Sequence, residues 1–186
     1  QICCEPRMLY ENYKGKSTKF TMCLELIETL KENGKKVLLF SSFTSIFDSF
    51  IEEFNQRGIK YHMITGAVDK KKRKEEVDAF QSDDSDVFLI SLKAGGTGLN
   101  LTKAQAVIHY DPWWNVSAQN QATDRAYRIG QTKNVLVYQL LMKNTIEAKI
   151  YEMQKRKKEM SDIFVENSNG GISTLSKEEL RDLFSM

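Results

Sequence analysis

The chain has few of the residues that support cross-linking, metal binding or nucleophilic catalysis. Its 186 residues include three cysteines and two histidines. The cysteines, with Cys3 and Cys4 adjacent, fit neither a disulfide framework nor a zinc site, so reduced structural thiols are expected. His62 and His109 lie in or beside apolar segments, with no acid or nucleophile at a recognisable spacing, and are interpreted as structural. No catalytic triad and no metal site are predicted.

Long apolar runs and a strong charge imbalance are also missing. No stretch approaches the roughly 20 apolar residues that span a bilayer, and the first residues lack the apolar core of a signal peptide. We therefore expect no membrane partner and a cytoplasmic protein, or a nuclear one in a eukaryote. The formal net charge of +2 is too small to indicate nucleic-acid binding by itself. The basic runs at 70–74 and 149–158 would face DNA only if the fold pointed them at a shared groove; otherwise they are solvated helix faces.

Alternating helix and strand patterns predict an α/β fold, with a parallel sheet flanked by helices. Short, continuous apolar runs are typical of strands buried on both faces, and the segments between them have helical periodicity. The length suits one domain, with a helical appendage. The predicted strands are 37–40, 61–64, 87–90, 106–110 and 135–141, and the main predicted helices are 20–30, 45–57, 69–80 and 145–164.

Two arginines near residue 126 are the most informative pair. Arg125 and Arg128 are three residues apart, so a helix would project both from one face, while Ala118, Ala122 and Ala126 would pack closely against the sheet. Two guanidiniums on a rigid helix suit the negative charge of a transferring phosphoryl group. The alternative is an arginine pair bridged to carboxylates on a solvated face.

A glycine-rich stretch, 95–100, follows the predicted strand that starts at Val87. It is not a dinucleotide fingerprint, because Leu101 replaces the required glycine, and it is not a Walker A loop. What remains is a set of backbone amides beside Lys93 that could hold a phosphate of a nucleotide or of DNA. The alternative is a tight turn that needs positive φ.

Two tryptophans, Trp113 and Trp114, follow the next strand. Tryptophans usually serve packing, but two in one loop at the carboxyl edge of a sheet are hard to bury. We expect one of them to be exposed or stacked on a ligand.

In this order, the segments resemble the second RecA-like lobe of a superfamily-two helicase, specifically of the SWI/SNF family of DNA translocases. Residues 37–44 resemble motif IV of that family and 90–101 resemble motif V. Residues 111–115 with 119–131 resemble the stretch that ends in motif VI, where the family carries Asp-Arg-Ala-His-Arg-Ile-Gly-Gln. The resemblance covers about 16–158. It implies a RecA-like, P-loop NTPase-like sheet with a C-terminal helical extension.

The resemblance also implies roles on the nucleotide side. Arg125 and Arg128 would be arginine fingers, and Gln121 would help to position the nucleotide. Gly98 and Asn100 would line the nucleotide side of the cleft between two lobes. The implied cofactor is ATP with Mg²⁺, held mainly by the other lobe.

On the DNA side, the implied contacts are to the sugar–phosphate backbone, with a tryptophan against the duplex. Ser42 stands where the family usually has glutamine. The implied DNA-binding residues are Lys93, Ala94, Gly95, Trp114, Ser42 and Gly66.

The domain organisation implied is the end of a helical insertion at 1–15, a RecA-like helicase C-terminal lobe at 16–144, and a brace helix with a short terminal helix at 145–186. Neither Gly-Lys-Thr nor Asp-Glu-Ala-His occurs in the sequence. The ATP-holding lobe is therefore expected to be missing, and the chain alone should not hydrolyse ATP. The expected partners are duplex DNA, the N-terminal lobe of the same protein and a protein target of remodelling. The compact ending favours a bacterial member.

Two alternatives stay open. One is an RNA helicase lobe, although the His-Arg-Ile-Gly-Arg signature of DEAD-box proteins is absent. The other is a non-catalytic interaction module that kept the fold and lost the motor.

Overall fold

A computed structural model gives the fold. The structure describes residues 2–6, 10, 13, 15, 17–66, 68–95, 99–113, 116–124, 126, 131 and 133–168. Within these ranges, it describes the backbone but not the side chains of residues 93, 95, 116–118, 121, 157–158 and 160–168.

Helices and strands alternate along the chain, as the sequence pattern predicts. The strands are β1 (Lys36–Ser41), β2 (Tyr61–Ile64), β3 (Val87–Ser91), β4 (Ala104–His109) and β5 (Leu136–Gln139). The helices are α1 (Thr18–Glu32), α2 (Ile46–Arg57), α3 (Lys70–Ser82), α4 (Leu92–Gly95), α5 (Val116–Thr123) and α6 (Ile146–Ser168).

The strands form one parallel sheet in the order β2-β3-β1-β4-β5. β1 and β3 are buried along nearly their whole length, which explains their continuous apolar sequences. β5 lies at one edge, and its Leu136 and Val137 are exposed. The predicted α/β class with a parallel sheet is confirmed.

Helices cover both faces of the sheet. On one face, Phe20 of α1 and Phe50 of α2 pack with their ring centroids 4.7 Å apart, over β-strand side chains such as Leu39. On the other face, Phe80 of α3 and Ala122 of α5 cover Leu38 and its neighbours. β1 and β3 therefore contribute alternate residues to two separate apolar layers.

Local capping explains several helix ends. Ser17 Oγ accepts a hydrogen bond from Phe20 N at 3.1 Å, and Asp69 Oδ1 accepts from Lys71 N at 2.8 Å. Gly58 ends α2 with φ of 61°, a conformation that favours glycine. Ser45 occupies the N-cap position of α2, but its side chain makes no capping hydrogen bond.

The arginine helix is shorter than the sequence predicts. α5 ends at Thr123, and Asp124 and Ala126 lie in turns. The Thr123 hydroxyl donates back to Gln119 O at 3.3 Å, and such back-bonding competes with the helical ladder. Arg125 and Arg128 lie outside the described residues.

The chain divides into two compact units, residues 1–148 and 149–186. The first contains the sheet, helices α1 to α5 and the start of α6. The described part of the second is the rest of α6, which ends at Ser168 rather than near 164. The predicted short terminal helix lies outside the described residues, and the boundaries at 15/16 and 144/145 stay predictions.

Candidate nucleotide and nucleic-acid interface

The loops that follow the strands gather at one edge of the sheet. Because all five strands are parallel, their carboxyl ends point the same way. Ser42 follows β1, Gly66 follows β2, and Ala94 and Asn100 follow β3. These strands are neighbours in the order β2-β3-β1. The fold thus brings these four predicted site residues to one edge, the side at which parallel α/β sheets bind ligands.

A buried carboxylate organises the loop after β1. Asp111 is 2% exposed and follows β4, the strand next to β1. Its Oδ1 accepts hydrogen bonds from Ser41 Oγ at 2.5 Å and from Ser42 N at 3.1 Å. Its Oδ2 accepts from Ser42 N at 3.1 Å and from Ser42 Oγ. The Ser42 hydroxyl, predicted to lie near DNA, therefore donates its proton within the chain. A DNA contact from Ser42 stays a prediction.

The surroundings of Asp111 raise its pKa. Burial is the largest effect and disfavours the charged form, while hydrogen bonds from Ser41 and Ser42 act in the opposite direction. No local sequence pattern predicts this residue as an organiser of the site. The sequence does place polar residues at the ends of two apolar strands, Ser41 and Ser42 at the end of β1 and Asp111 after β4. These residues can be paired only once β1 and β4 are known to be adjacent.

The segment after β3 holds the motif V residues. Ala94 is 1% exposed, and its N–H donates to Ser91 Oγ at 3.3 Å, so this amide already has a partner within the chain. Asn100 is exposed between buried Leu99 and Leu101, and its side chain can reach a ligand. Lys93 and Gly95 lie on α4. Gly98 lies outside the described residues, and the predicted amide cradle stays a prediction.

Gly66 is exposed in the turn after β2. A Cβ atom built there meets no atom within 4 Å, and no left-handed φ is found there. Neither packing nor backbone conformation requires a glycine at this position. The absence of a side chain leaves open space at the ligand edge.

The segment after β4 is tied to α5. Trp113 is half-buried, and its backbone N–H donates to Gln119 Oε1 at 3.3 Å. His109 Nε2 and Thr123 Oγ1 are joined by a hydrogen bond of 2.9 Å. Ala122 is buried against the sheet, as predicted. Gln121 lies on α5, without a description of its side chain, and Trp114 lies outside the described residues.

Helix α3 begins with a group of lysines at this same edge, because it starts just after β2. We call Lys70, Lys71, Lys72 and Lys74 the α3 lysine cluster. All four are exposed, and within the described part of the chain the structure gives none of them an ion pair. Cations near a helix N-terminus are disfavoured by the helix dipole. Folding stability therefore does not account for the cluster, whereas a phosphate-rich partner would.

A second buried polar group ties together distant parts of the first unit. Lys19 Nζ lies 2.7 and 2.8 Å from the two carboxylate oxygens of Glu147, and both side chains are almost fully buried. Cys4 Sγ–H lies 3.9 Å from Glu147 Oε1, and Tyr110 Oη donates to Cys4 O at 2.7 Å. Burial raises the pKa of Cys4 to about 12, so this thiol is not nucleophilic. All three cysteines are free, as predicted.

Both histidines form hydrogen bonds within the chain, and His62 is less isolated than the sequence indicates. His109 is buried, and desolvation lowers its pKa to about 4. His62 Nδ1 lies 2.6 Å from Glu76 Oε2, and His62 Nε2 lies 2.7 Å from Asp83 Oδ2. Burial lowers the pKa of His62, but the hydrogen bonds to both carboxylates outweigh it and leave the pKa raised.

Among the described residues, no group of histidine, cysteine or carboxylate side chains is arranged to hold a metal ion. In the same part of the chain, no helix has both the length and the apolar character needed to cross a membrane.

The parallel sheet, its helical layers and the loops at its carboxyl edge define a RecA-like lobe. The chain belongs to the family of helicase conserved C-terminal domains, whose model matches residues 18–130. The sequence resemblance to that class is confirmed.

Two solved structures place the fold more closely. The C-terminal part of the Fun30 ATPase domain is 34% identical, with a TM-score of 0.71, and the match covers 79% of this chain and 50% of that one. The Sulfolobus solfataricus SWI2/SNF2 ATPase core in complex with double-stranded DNA is 32% identical, with a TM-score of 0.73, covering 98% of this chain and 39% of that one. The fold is thus that of SWI2/SNF2 ATPases.

Curated relatives agree. An uncharacterized ATP-dependent helicase of Mycoplasma pneumoniae is 44% identical over 90% of this chain, which is 16% of that protein. The putative ATP-dependent helicase/translocase YwqA of Bacillus subtilis is 36% identical over 100% of this chain and 21% of that protein. The human lymphoid-specific helicase is 38% identical over 86% of this chain and 20% of that protein. The chain thus spans about a fifth of such relatives, which come from bacteria and eukaryotes alike.

Proposed function

We propose that this chain is the C-terminal motor lobe of an ATP-dependent translocase of the SWI/SNF type that acts on double-stranded DNA. The observation that carries the proposal is the gathering of Ser42, Gly66, Ala94 and Asn100 at one sheet edge. The likeness to a SWI2/SNF2 core in complex with double-stranded DNA supports duplex DNA as the partner.

The catalytic contribution of this lobe would be electrostatic. Arg125 and Arg128 would stabilise the negative charge that spreads over the phosphoryl group in the transition state, and Gln121 would help to position the nucleotide. Gly98 and Asn100 would line the nucleotide side of the cleft. Lys93, Ala94, Gly95 and Trp114 would contact the DNA.

ATP and Mg²⁺ would be held mainly by a separate N-terminal lobe of the same protein. The sequence contains neither Gly-Lys-Thr nor Asp-Glu-Ala-His, the segments that bind them in this family. Arginine fingers lower a barrier only when ATP, Mg²⁺ and a water molecule are assembled opposite them. This chain alone should therefore bind ATP weakly and show no steady-state hydrolysis.

The experiment that tests the motor assignment uses a protein that contains both lobes. Arg125→Ala and Arg128→Ala should each lower the DNA-stimulated kcat by about 10³-fold or more, the range found for arginine fingers. Thermal unfolding should change little, which a CD melt checks. The control is Arg57→Ala, because Arg57 lies on α2 and pairs with Glu28 and Glu53.

Two results would contradict the proposal in different ways. Unchanged ATP hydrolysis in both arginine variants would favour a non-catalytic interaction module. Stronger stimulation of hydrolysis by single-stranded RNA than by duplex DNA would favour an RNA helicase lobe.

A further inference from the structure

We propose that Asp111 is a positioning residue, which holds the loop after β1 in the conformation that binds the DNA backbone and joins this loop to the tryptophan segment after β4. The inference rests on the proposed function, since it assumes that this edge of the sheet binds DNA. It concerns a residue that contacts neither DNA nor nucleotide itself.

The hydrogen bonds of Asp111 all fix one short loop. Ser41 and Ser42 supply every donor described above, from two hydroxyls and one backbone amide. Ser41 Oγ in turn accepts from Phe43 N at 3.1 Å. Asp111 thus fixes the Ser42 backbone directly and the Phe43 backbone through the Ser41 hydroxyl. The exposed residues that follow, Thr44 and Ser45, start from this fixed geometry.

Asp111 also sits at the start of the tryptophan segment. Tyr110 N donates to Phe40 O at 2.9 Å, so the last paired residues of β1 and β4 lead directly into the two loops. Two residues after Asp111, the Trp113 amide is held by Gln119 of α5 at 3.3 Å. One buried residue therefore connects the loop after β1, the tryptophan segment and the helix that precedes Arg125.

Stability alone is a poor explanation for this carboxylate. Among the described residues, no lysine, arginine or histidine forms an ion pair with Asp111. The Lys19 ammonium favours the charged form of Asp111, but it is bonded to Glu147. A buried carboxylate without an ion pair of its own is costly to desolvate, and an apolar side chain would often be more favourable. A fixed acceptor whose donors are the last residue of β1 and the first residue of the ligand-facing loop is instead what a preorganised binding site needs.

The test uses this chain, a labelled DNA duplex of mixed sequence and three variants. Asp111→Asn keeps the shape but replaces one acceptor with an NH₂ donor, and Ser42→Ala removes one donor from the loop itself. The matched control is Glu53→Gln on α2, where an equally buried carboxylate accepts from Arg57 Nη2 at 3.0 Å, away from the loop. Thermal melts show how much each variant is destabilised.

The expected results distinguish a role of Asp111 in positioning the loop from a role in stabilising the fold. Asp111→Asn should raise the dissociation constant for duplex DNA about tenfold, the scale of losing a hydrogen bond to a charged group. Glu53→Gln should lower the Tm without changing DNA affinity. Trp113 and Trp114 are the two tryptophans of the chain, so acrylamide quenching of their emission reports on the tryptophan segment alone. Quenching should increase in Asp111→Asn and in Ser42→Ala, and not in Glu53→Gln.

Each contrary result has a distinct meaning. If the unmodified chain does not bind duplex DNA, the DNA part of the proposed function fails, and quenching still tests the link between the two segments. If Asp111→Asn binds DNA like the unmodified chain, or if quenching is the same in all variants, Asp111 is not a positioning residue.

Discussion

Lysines at the two ends of the parallel strands differ in whether they form ion pairs. At the amino ends of the strands, Lys31, Lys36 and Lys60 each pair with an aspartate of the segment 83–86. At the carboxyl ends, the α3 lysine cluster is exposed and has no ion pair among the described residues. The charges of these three amino-end lysines are neutralised locally and serve folding. Charge at the carboxyl end is available to a polyanion, and a net charge of +2 conceals this local excess.

The largest effect should come from the unpaired lysines. Lys70→Gln with Lys71→Gln and Lys72→Gln should raise the dissociation constant for duplex DNA by about tenfold or more at moderate salt, because up to three phosphate contacts are lost. The slope of log K against log salt should become shallower by roughly 0.9 for each lost contact. Titrations over a salt series measure both. The Tm should stay the same or rise slightly, since cations are removed from a helix N-terminus.

The matched control carries the same loss of charge at the other end of the sheet. Lys35, Lys103 and Lys133 precede β1, β4 and β5, so the triple change of these residues to Gln lowers the net charge equally. It should leave the salt slope nearly unchanged. An equal loss of affinity in both triple variants would mean that only net charge matters and that the two ends of the sheet do not differ.

The paired lysines should show the opposite behaviour. Lys36 Nζ donates to Phe80 O at 2.6 Å and to Asp83 O at 2.8 Å. Lys36→Met leaves these carbonyls without their donor and should lower the free energy of unfolding by about 1–3 kcal/mol. Urea unfolding measures this change, and DNA affinity should stay the same. Lys35→Met is the neighbouring control and should change stability by less than about 0.5 kcal/mol. Equal effects of the two variants would remove the structural role assigned to Lys36.

The smallest effect is a pH dependence at the amino end. Because the pKa of His62 is raised in the folded chain, protonated His62 stabilises the fold below its unfolded value of 6.5. This contribution is lost as the pH rises through the folded pKa. His109 contributes in the opposite direction, because its pKa is lowered to about 4 in the folded chain, so stability from this group rises until the pH passes its unfolded value of 6.5. Urea unfolding at several pH values above 7, where this opposing contribution has largely ended, should show stability falling, and His62→Gln should flatten this slope. A slope that survives in His62→Gln would assign the dependence to other groups.

The pattern of apolar residues was sufficient to predict the strands. It could not predict which distant segments lie close together. Buried strands such as β3 are continuous apolar runs, so sequence alone located them. The partnership of Ser42 with Asp111 depends on β1 and β4 being neighbours, although β2 and β3 lie between them in the chain. No local pattern encodes that order.

Side-chain hydrogen bonds were also beyond the sequence. His62 meets carboxylates of residues 14 and 21 positions away, which only the packing of α3 against β2 brings together. α5 ends at Thr123, whereas the alanine spacing predicted a longer helix. The catalytic roles of Arg125 and Arg128 rest on the sequence resemblance.

The ion pair of Lys19 with Glu147 has a consequence for biosynthesis. The two residues are 128 positions apart, and a ribosome delivers the amino-terminal partner first. Until the start of α6 emerges, burying the ammonium of Lys19 would leave a cation without its counter-charge, which is strongly unfavourable. Helix α1 should therefore dock late, after nearly the whole sheet has been translated. A lobe truncated after residue 144 would lack the Glu147 carboxylate that neutralises Lys19.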